Sequence, residues 1–517
     1  MIFVPVETRP LAQAASALGS WSIYSADSVM THPQSCLIGI LPVEILLGCF
    51  HLLDGKSLVW CCSVCRVWRE TIKNCTELNY IIELLADGML PGPSSLSSSE
   101  KMEHLSTWRK AWHDMKWKSR TEFAINEHPR AYELVGGVFA QQNTWPESDF
   151  TAIRLPSSQH SGEIASTRNI GIESLDFAMD PTQDLVVFLH RDQDDCGSFD
   201  CRSMSSLQPH PRASTPRLSF DLRNDNLRRI FLQVADDIIG LLFHTSLTTD
   251  GTLRVVLLNW CTGTMLVDLT SSNLSLSVSD FALISPCAFL LGCTGRRNSA
   301  GEIHIYRFQR THHNDPTRVA TLELPPIDPH RSLDRLIAHS GPFCASLIAG
   351  AQFSKANDKR ICAISLAYDQ AEFYSLYVHH RYFERYLSVE GEPPTVPWDQ
   401  WGPNHARIMT GRHRFWLRYV HGERVVRPVD PDHPTRVEIL DFGITPSRPG
   451  NTVGPELCVD PSTIPRDGHV FKDDVTTSLP YRHTVHYLDD HYILFMIDQD
   501  RLIGVNEMVN KLTVYTF

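Results

Sequence analysis

The chain has 517 residues and a formal net charge of −12, with 42% apolar and 21% charged residues. This length suggests roughly two to four domains, and the proportions are those of an ordinary globular protein. The acidic balance argues against non-specific binding to nucleic acid or to an anionic membrane, because both need a cationic surface.

Residues 1–36 show no targeting signal. They lack a positively charged leader followed by an apolar core, so we expect a flexible tail. No apolar run in the chain reaches the length of about 18 residues that a membrane helix needs. The 14 cysteines are scattered and lie mostly within apolar runs, which is typical of reduced thiols. We therefore expect a cytoplasmic or nuclear protein that binds neither membrane nor nucleic acid.

The segment Leu41–Trp68 has the pattern of three short amphipathic helices. Pro42 suits the first turn of a helix, where its missing N–H group is not needed, and Glu44 follows where the helix dipole favours a carboxylate. The first apolar stripe has members at intervals of four, widened by two neighbours: Ile45, Cys49, Leu53, Leu46 and Phe50.

A second apolar stripe follows Asp54-Gly55, where the first helix is expected to stop. It comprises Leu58, Cys61, Cys62 and Cys65 and continues through Val64, Trp68 and Ile72. The segment is too short to bury both stripes internally, so we expect a partner protein to cover part of them. The alternative is an ordinary three-helix core, since helical stripes usually form one.

The order of these residues resembles the F-box family. The matching positions are Leu41, Pro42, Glu44, Ile45, Leu46, Phe50, Leu53, Leu58, Cys62, Val64, Cys65, Arg66, Trp68 and Arg69. The resemblance assigns an F-box to residues 37–85 and implies docking onto a Skp-type adaptor, and through it onto a cullin complex with ubiquitin ligase activity. The residues it implies for adaptor binding are Leu41, Pro42, Glu44, Ile45, Leu46, Phe50, Leu58, Val64, Cys65 and Trp68.

Residues 86–146 are predicted to form a helical linker, or stalk, that contains a Ser-rich loop. A helix is predicted at Thr76–Asp87, followed by Gly, Pro and the serines of Ser94–Ser99. Apolar residues at close to helical spacing then predict another helix at Lys101–Lys118.

Residues 147–517 have a sequence pattern typical of an all-β domain, in which short apolar runs alternate with clusters of Gly, Pro, Asp and Asn. The triplet Asp176-Phe177-Ala178 and the apolar run after it are echoed at Asp280-Phe281-Ala282, an offset that suits two propeller blades. We predict a β-propeller of six or seven blades. To close its ring, we expect a strand near Phe150–Leu155 to lie beside the C-terminal segment Tyr492–Phe517. The predicted fold class is thus a multidomain α plus all-β protein.

Catalytic and metal-binding motifs are absent from the sequence. There is no Gly-x-Ser-x-Gly elbow, P-loop, Gly-x-Gly-x-x-Gly or His-Glu-x-x-His. Cys61, Cys62 and Cys65 lie on an apolar stripe without a second pair of ligands, so packing explains them better than zinc. We expect no cofactor, no metal and no enzymatic activity.

Trp398 and Trp401 stand out in a Pro- and Gly-flanked segment, Gly391–Asn404, that is predicted to be a loop. Exposed aromatic residues there would be good anchors for a target protein. The alternative is that both side chains fold back and are buried, as large aromatics more often are.

The overall layout resembles the F-box proteins that are abundant in mushroom-forming fungi. This resemblance implies a substrate-recognition subunit of a Skp–cullin–F-box ubiquitin ligase, in which the propeller binds a target protein. Two alternatives stay open. One is a non-ligase scaffold with an F-box, and the other is a propeller enzyme with a helical appendage.

Overall fold

A computed structural model of the chain describes residues 41–126, 129–144, 148–157, 161–162, 166–194, 196–222, 227–244, 253–270, 274, 278–294, 300–347, 351–411, 418–444, 456–467 and 470–517. The chain divides into two compact units, Met1–Glu83 with Thr445–Val453 and Leu84–Ile444 with Gly454–Phe517. We call the first the helical unit, of which residues 41–83 are described, and the second the propeller unit. The predicted tail, residues 1–36, lies outside the described residues.

Seven α-helices are described. They are α1 (Val43–Phe50), α2 (Gly55–Cys61), α3 (Arg66–Asn74), α4 (Thr76–Ala86), α5 (Ser98–Asp114), α6 (His380–Glu384) and α7 (Trp398–His405).

The first two blades follow two short strands, and all strands are numbered in chain order. The strands are β1 (Met89–Pro91) and β2 (Ser119–Ala124), blade 1 with β3 (Pro129–Val135), β4 (Val138–Asn143), β5 (Asp149–Arg154) and β6 (Ser166–Asn169), and blade 2 with β7 (Ser174–Asp180), β8 (Leu185–Arg191), β9 (Gly197–Ser203) and β10 (Arg217–Phe220).

Blades 3, 4 and 5 come next along the chain. Blade 3 has β11 (Arg228–Ala235), β12 (Ile238–His244), β13 (Leu253–Asn259) and β14 (Thr264–Thr270); blade 4 has β15 (Val278–Ser285), β16 (Ala288–Cys293), β17 (Glu302–Arg307) and β18 (Thr317–Glu323); blade 5 has β19 (Leu333–Ser340), β21 (Ile361–Tyr368), β22 (Glu372–His379) and β24 (Ala406–Thr410). Two short strands lie between these, β20 (Phe353–Lys355) and β23 (Thr395–Val396), the latter pairing in parallel with β18.

Blades 6 and 7 complete the ring. Blade 6 has β25 (Val420–His421), β26 (Arg424–Val426), β27 (Arg436–Asp441), β31 (Tyr481–Tyr487) and β28 (Glu456–Cys458); blade 7 has β32 (Leu494–Ile497), β33 (Arg501–Val505), β34 (Lys511–Thr516) and β2. A separate hairpin is formed by β29 (Ser462–Ile464) and β30 (Val475–Thr477). The fold is therefore a seven-bladed β-propeller, within the predicted range of six or seven.

The hydrophobic core of the propeller is distributed between adjacent blades. Apolar side chains of blades 2 and 3 form one cluster, those of blades 3 and 4 a second, and those of blades 4 and 5 a third. Because every blade is covered on both faces, its middle strands are buried throughout, as Leu185–His190 and Leu253–Asn259 are. This arrangement explains why the sequence shows many short apolar runs and no single dominant block.

The ring is closed by β2, which forms the outer strand of blade 7. It pairs antiparallel with β34 over its whole length, from Ser119 opposite Thr516 to Ala124 opposite Lys511. The segment predicted for this role, near Phe150–Leu155, belongs instead to blade 1. It lies next to blade 7, since Ile153 packs in one cluster with apolar residues of β32, β33 and β34. The prediction was right about the neighbour and wrong about the paired strand.

The propeller strands start earlier in the chain than the predicted boundary at residue 147. Strands β2, β3 and β4 all lie within the predicted linker, residues 86–146. Their sequences were missed because β2 (SRTEFA) is polar and β4 ends in Gln-Gln-Asn, so neither shows a continuous apolar run. The helical part of the linker is present as α5, which begins at a capping box formed by Ser97 and Glu100.

Helix α5 is fixed to blades 6 and 7 of the propeller. The indole N–H groups of Trp108 and Trp112 both donate to the carbonyl oxygen of Gln499, at 3.3 and 3.1 Å. The guanidinium of Arg424 lies 4.6 Å from each indole ring, and Trp112 stacks on Phe517 at 4.0 Å. One shared carbonyl acceptor, one shared cation and one aromatic stack hold the helix in one position.

The connection between β19 and β21 is long and reaches across to other blades. The backbone N–H of Ala345 donates to Asp180 in blade 2, and the hydroxyl of Ser346 donates to the carbonyl oxygen of Thr182. Further along, β20 pairs with β1, and the N–H of Lys355 donates to the side chain of Gln499 in blade 7. The connection therefore ties blade 5 to two blades that are not its neighbours.

Candidate docking surface

The first helix of the helical unit begins where the sequence predicts. Helix α1 starts at Val43, directly after Pro42, and Glu44 lies in its first turn. It ends earlier than predicted, at Phe50, and Asp54 instead begins the next helix by accepting the backbone N–H of Ser57 at 2.8 Å. The hydrogen bonds from Ser57 lower the pKa of Asp54. Asp54 is thus an N-cap, which fits its preference for that position.

Helix α3 begins at an unusual cap. The Sγ atom of Cys65 accepts the backbone N–H of Trp68 at 3.5 Å, where a serine or aspartate oxygen is more common. The side chain of Arg69, one turn along, donates through Nε to the carbonyl oxygen of Cys62 at 2.8 Å. These contacts connect the end of α2 to the start of α3 and fix the turn between them.

The helical unit has a small core of its own. Its buried members are Leu46, Phe50, Leu58, Ile72 and Leu78. Trp68 meets Phe50 edge to face, with the ring centroids 5.2 Å apart, which is a favoured aromatic geometry. Part of each predicted stripe is therefore used internally.

The remaining apolar residues of this unit face outward. Leu41 is 41% exposed, Ile45 52%, Trp60 63% and Leu52 87%. Among the described residues of the whole chain, fifteen large apolar side chains are exposed, and eight of them fall in this short segment: Leu41, Val43, Ile45, Leu52, Val59, Trp60, Val64 and Val67. We call these eight residues the docking surface. Such a concentration of exposed apolar groups is typical of an interaction site and unusual for a surface that stays in contact with water.

The structure separates the residues predicted for adaptor binding into two groups. Leu41, Pro42, Glu44, Ile45, Val64 and Cys65 are exposed, and Trp68 is half-buried. Leu46, Phe50 and Leu58 are buried, so these three positions implied for adaptor binding are not accessible. Because Leu46 packs in the same core as Phe50 and Leu58, these three residues can support the docking surface but do not form it.

Sequence reasoning missed five members of the docking surface: Val43, Leu52, Val59, Trp60 and Val67. Trp60 had a recognisable signal. It lies two positions after Leu58, and residues two apart on a helix point in different directions. With Leu58 on the buried stripe, Trp60 had to point away from it.

Trp398 and Trp401, predicted as target-binding anchors, are buried in the propeller. They lie in helix α7, not in a loop, and Trp401 is 0% exposed. Its indole N–H donates to the carbonyl oxygen of Glu323 at 2.9 Å, and its ring lies 4.9 Å from that of Trp398. The expectation that these side chains are exposed anchors is wrong, and the alternative of burial is confirmed.

One buried group of side chains has the composition of a catalytic triad. Sγ of Cys293 lies 3.7 Å from Nδ1 of His304, whose Nε2 lies 2.7 Å from Glu302. Cys293 is completely buried, and burial raises the pKa of its thiol to about 12. A thiol in this state is a poor nucleophile, because the thiolate is the reactive form. The group therefore fits a packing role.

Acidic side chains also lie on the first strands of three blades, where Asp280 and Glu133 are buried and Asp176 is half-buried. Burial raises the pKa of Asp176 in β7 to about 7 and that of Asp280 in β15 to about 8. Glu133 in β3 forms an ion pair with Arg418, which precedes β25. Within the described ranges, no three His, Cys, Asp or Glu side chains are grouped so that they could hold a metal ion. No helix in the described part of the chain combines the length and apolar character of a membrane span.

Comparison with known proteins agrees with this geometry. Residues 38–78 match a family model described as F-box-like. The chain thus combines an F-box-like segment with a seven-bladed β-propeller, an architecture typical of non-catalytic adaptor proteins that recognise other proteins. No curated protein sequence matches the chain.

Solved structures show distant similarity to the propeller. BamB from Moraxella catarrhalis is 8% identical with a TM-score of 0.35, covering 77% of this chain and 98% of its own. Sqt1 from Chaetomium thermophilum is 13% identical with a TM-score of 0.34, covering 75% and 83%. The WD40 domain of coronin from Toxoplasma gondii is 10% identical with a TM-score of 0.34, covering 77% and 86%. These similarities are too distant to carry a functional conclusion.

Proposed function

We propose that this protein is the substrate-recognition subunit of a Skp–cullin–F-box ubiquitin ligase. The observation that carries the proposal is the docking surface, which lies within the segment that matches the F-box-like model. An adaptor that covers Leu41, Ile45 and Trp60 would remove large apolar groups from water, and this burial drives association.

In this proposal the protein makes and breaks no bonds itself. The helical unit binds a Skp-type adaptor and, through it, the cullin complex. The propeller binds a target protein, and the ligase gains rate from holding the target near its catalytic machinery. We propose the cytoplasm or nucleus as the compartment, which agrees with the described cysteines being free thiols. A fluorescent fusion of the full chain tests the compartment.

Adaptor binding is tested with the double variant Leu41→Ala, Pro42→Ala. Both side chains are exposed, so the variant should fold normally and lose co-purification with a Skp-type adaptor by at least about tenfold, which is an affinity loss of about 1.4 kcal/mol. The matched control is Val485→Ala, which removes an exposed apolar side chain from blade 6. The control should bind the adaptor like the natural sequence. Undiminished binding by the double variant contradicts the proposal.

A further inference from the structure

Arg360 is a buried cation without a charged partner. It lies directly before β21 in blade 5 and is 3% exposed. Its Nη1 atom makes no hydrogen bond, and its Nη2 atom makes only a long one, 3.4 Å, to the hydroxyl of Ser340. Among the residues that the structure describes, no carboxylate lies within ion-pair distance of it. A buried charge in this situation is costly unless something pairs with it.

The immediate surroundings of Arg360 do not replace a charged partner. The guanidinium carbon lies 3.7 Å from the centre of the Phe343 ring, a cation–π contact that attracts the charge but neither balances it nor accepts the free Nη1–H group. Burial lowers the pKa of Arg360 to about 10, and the positive charge of Arg418 adds to this effect. Arg360 is still charged at neutral pH. Glu133 does not neutralise it, because that carboxylate is paired with Arg418.

His380 supplies a second buried polar group at the same place. It is 1% exposed, and its backbone N–H donates to the carbonyl oxygen of Arg360 at 2.9 Å. Beyond a loose approach to the backbone of Ile284, neither ring nitrogen has a hydrogen-bond partner. Burial, with a contribution from the charge of Arg360, holds the pKa of His380 well below its ordinary value. The ring is therefore neutral and carries one N–H donor.

The charge of Arg360 also interacts with Glu384 on α6. Glu384 is half-buried, it lies beyond ion-pair distance, and burial raises its pKa, with a further increase from Asp358. Because the Glu384 carboxyl group lies beyond ion-pair distance, it does not accept the free Nη1–H group of Arg360. Glu384 is therefore the rival partner that the test must distinguish from an anion.

We infer that Arg360 and His380 form a binding site for a small monovalent inorganic anion, such as chloride. The anion accepts the free Nη1–H of the guanidinium and the single N–H of the imidazole, which gives up its loose approach to the backbone of Ile284. Its single negative charge balances the single unpaired positive charge. The ion should be monovalent because there is one charge to balance. It should be small because both side chains are buried. The site lies in the propeller unit and is independent of the function proposed above.

The test is the thermal stability of the full chain as a function of chloride. The protein is prepared in sodium gluconate, and chloride replaces gluconate at constant ionic strength. Because the anion binds only the folded state, the melting temperature should rise with the logarithm of the chloride concentration once chloride exceeds its Kd, by roughly 3 °C when chloride is about 100 times its Kd. Arg360→Met removes the charge and should abolish the rise. Arg381→Met is the matched control on an exposed arginine and should keep it.

Direct location of the ion makes the result independent of how well the variants fold. Crystals of the natural sequence grown with bromide in place of chloride should show an anomalous peak beside Nη1 of Arg360. A flat chloride titration together with no peak there would overturn the inference. So would a rotated Glu384 carboxylate that contacts Arg360 in the same crystals. A rise that Arg360→Met retains would mean that chloride binds elsewhere.

Discussion

Trp60 and Trp401 show that one residue type occupies opposite environments in the two units. Trp60 is 63% exposed on the docking surface, while Trp401 is fully buried and hydrogen-bonded to Glu323. Large aromatics contribute to an interface only when a partner can cover them, and to folding only when the chain itself does.

This contrast predicts opposite effects for two alanine variants. Trp401→Ala should reduce the free energy of unfolding by about 3–5 kcal/mol, because it leaves a cavity and an unpaired carbonyl group. Trp60→Ala should change it by less than about 0.5 kcal/mol but should weaken adaptor binding. Urea unfolding and an adaptor pull-down on both variants check this. A stable Trp401→Ala protein would contradict the burial of that ring.

Asp280 should make the stability of the propeller depend on pH. Its pKa is raised by burial from 3.8 to about 8, so the folded state keeps a proton that the unfolded state releases. The contribution of Asp280 to stability is complete below about pH 4 and is lost as the pH rises towards 8, by up to about 1.4 kcal/mol per pH unit. Asp176 acts in the same direction up to about pH 7.

The variant Asp280→Asn isolates this effect. An amide oxygen can still accept the backbone N–H of Ala338, which the carboxyl group accepts in the natural sequence. The variant should therefore gain stability relative to the natural protein between pH 5 and pH 8, and urea unfolding across that interval measures the difference. Parallel stability curves for the two proteins would show that the Asp280 carboxyl is ionised in the folded state.

At the scale of single elements, the sequence predicted helices with one buried face and strands with both faces buried. Helix α1 was predicted because Leu46 and Phe50 recur on one face. The short apolar runs that indicated an all-β domain include β8, β12 and β13, which are apolar because neighbouring blades cover both of their faces. The closing strand β2 could not be recognised. Its burial pattern alternates between exposed and half-buried residues, and its place is determined by β34, almost four hundred residues later.

The segment that forms helix α7 was predicted to be a loop, and this prediction was wrong for a different physical reason. Its sequence, WDQWGPNH, contains Gly402 and Pro403, which predict a loop on local grounds. The tertiary structure overrides this preference, because Trp398 and Trp401 bury large surfaces against blades 4 and 5. Gly402 is also required there: a Cβ atom at this position would lie 2.4 Å from the Trp398 ring. The wrong loop prediction and the wrong expectation of exposed tryptophans therefore have the same cause, which is the burial of both side chains in the tertiary structure.

The role of β2 in closing the ring gives a prediction at this scale. Proline has no N–H to donate to a strand ladder, so Thr121→Pro should disrupt the pairing of β2 with β34 at Val514. Because this pairing joins the two ends of the ring, the melting temperature of the whole propeller should fall by several degrees, and aggregation should increase through the exposed edge of β34.

The matched control places proline in a hairpin outside the ring. Thr463 in β29 pairs with Thr476 in β30, and this two-stranded sheet belongs to none of the seven blades. Thr463→Pro should therefore cause a smaller loss of melting temperature than Thr121→Pro. Equal losses in calorimetry would mean that ring closure does not depend on β2 in particular.

At the scale of the whole molecule, the proposed function assigns separate tasks to the two units. The helical unit has eight large apolar side chains exposed, whereas most large apolar side chains of the propeller are packed between blades. A subunit that connects a target to a ligase needs this division, because one surface must stay constant for the adaptor while the other is free to match the target. A simple scaffold would have the same division, so the fold alone does not separate the two functions.

Target lifetime separates them. In cells, the Leu41→Ala, Pro42→Ala variant should keep its propeller, bind the target and fail to deliver it to the cullin complex. Targets captured by proximity labelling of the natural protein, with the proteasome blocked, should then become longer-lived when this variant replaces it, and more of them should co-purify with the variant. The ligase function also predicts that the increase in co-purified target disappears when Trp401→Ala is added to this variant, because the damaged propeller no longer holds the target. Unchanged half-lives for every captured protein, with adaptor binding lost as expected, would favour the scaffold, since only a ligase links the docking surface to destruction of what the propeller binds.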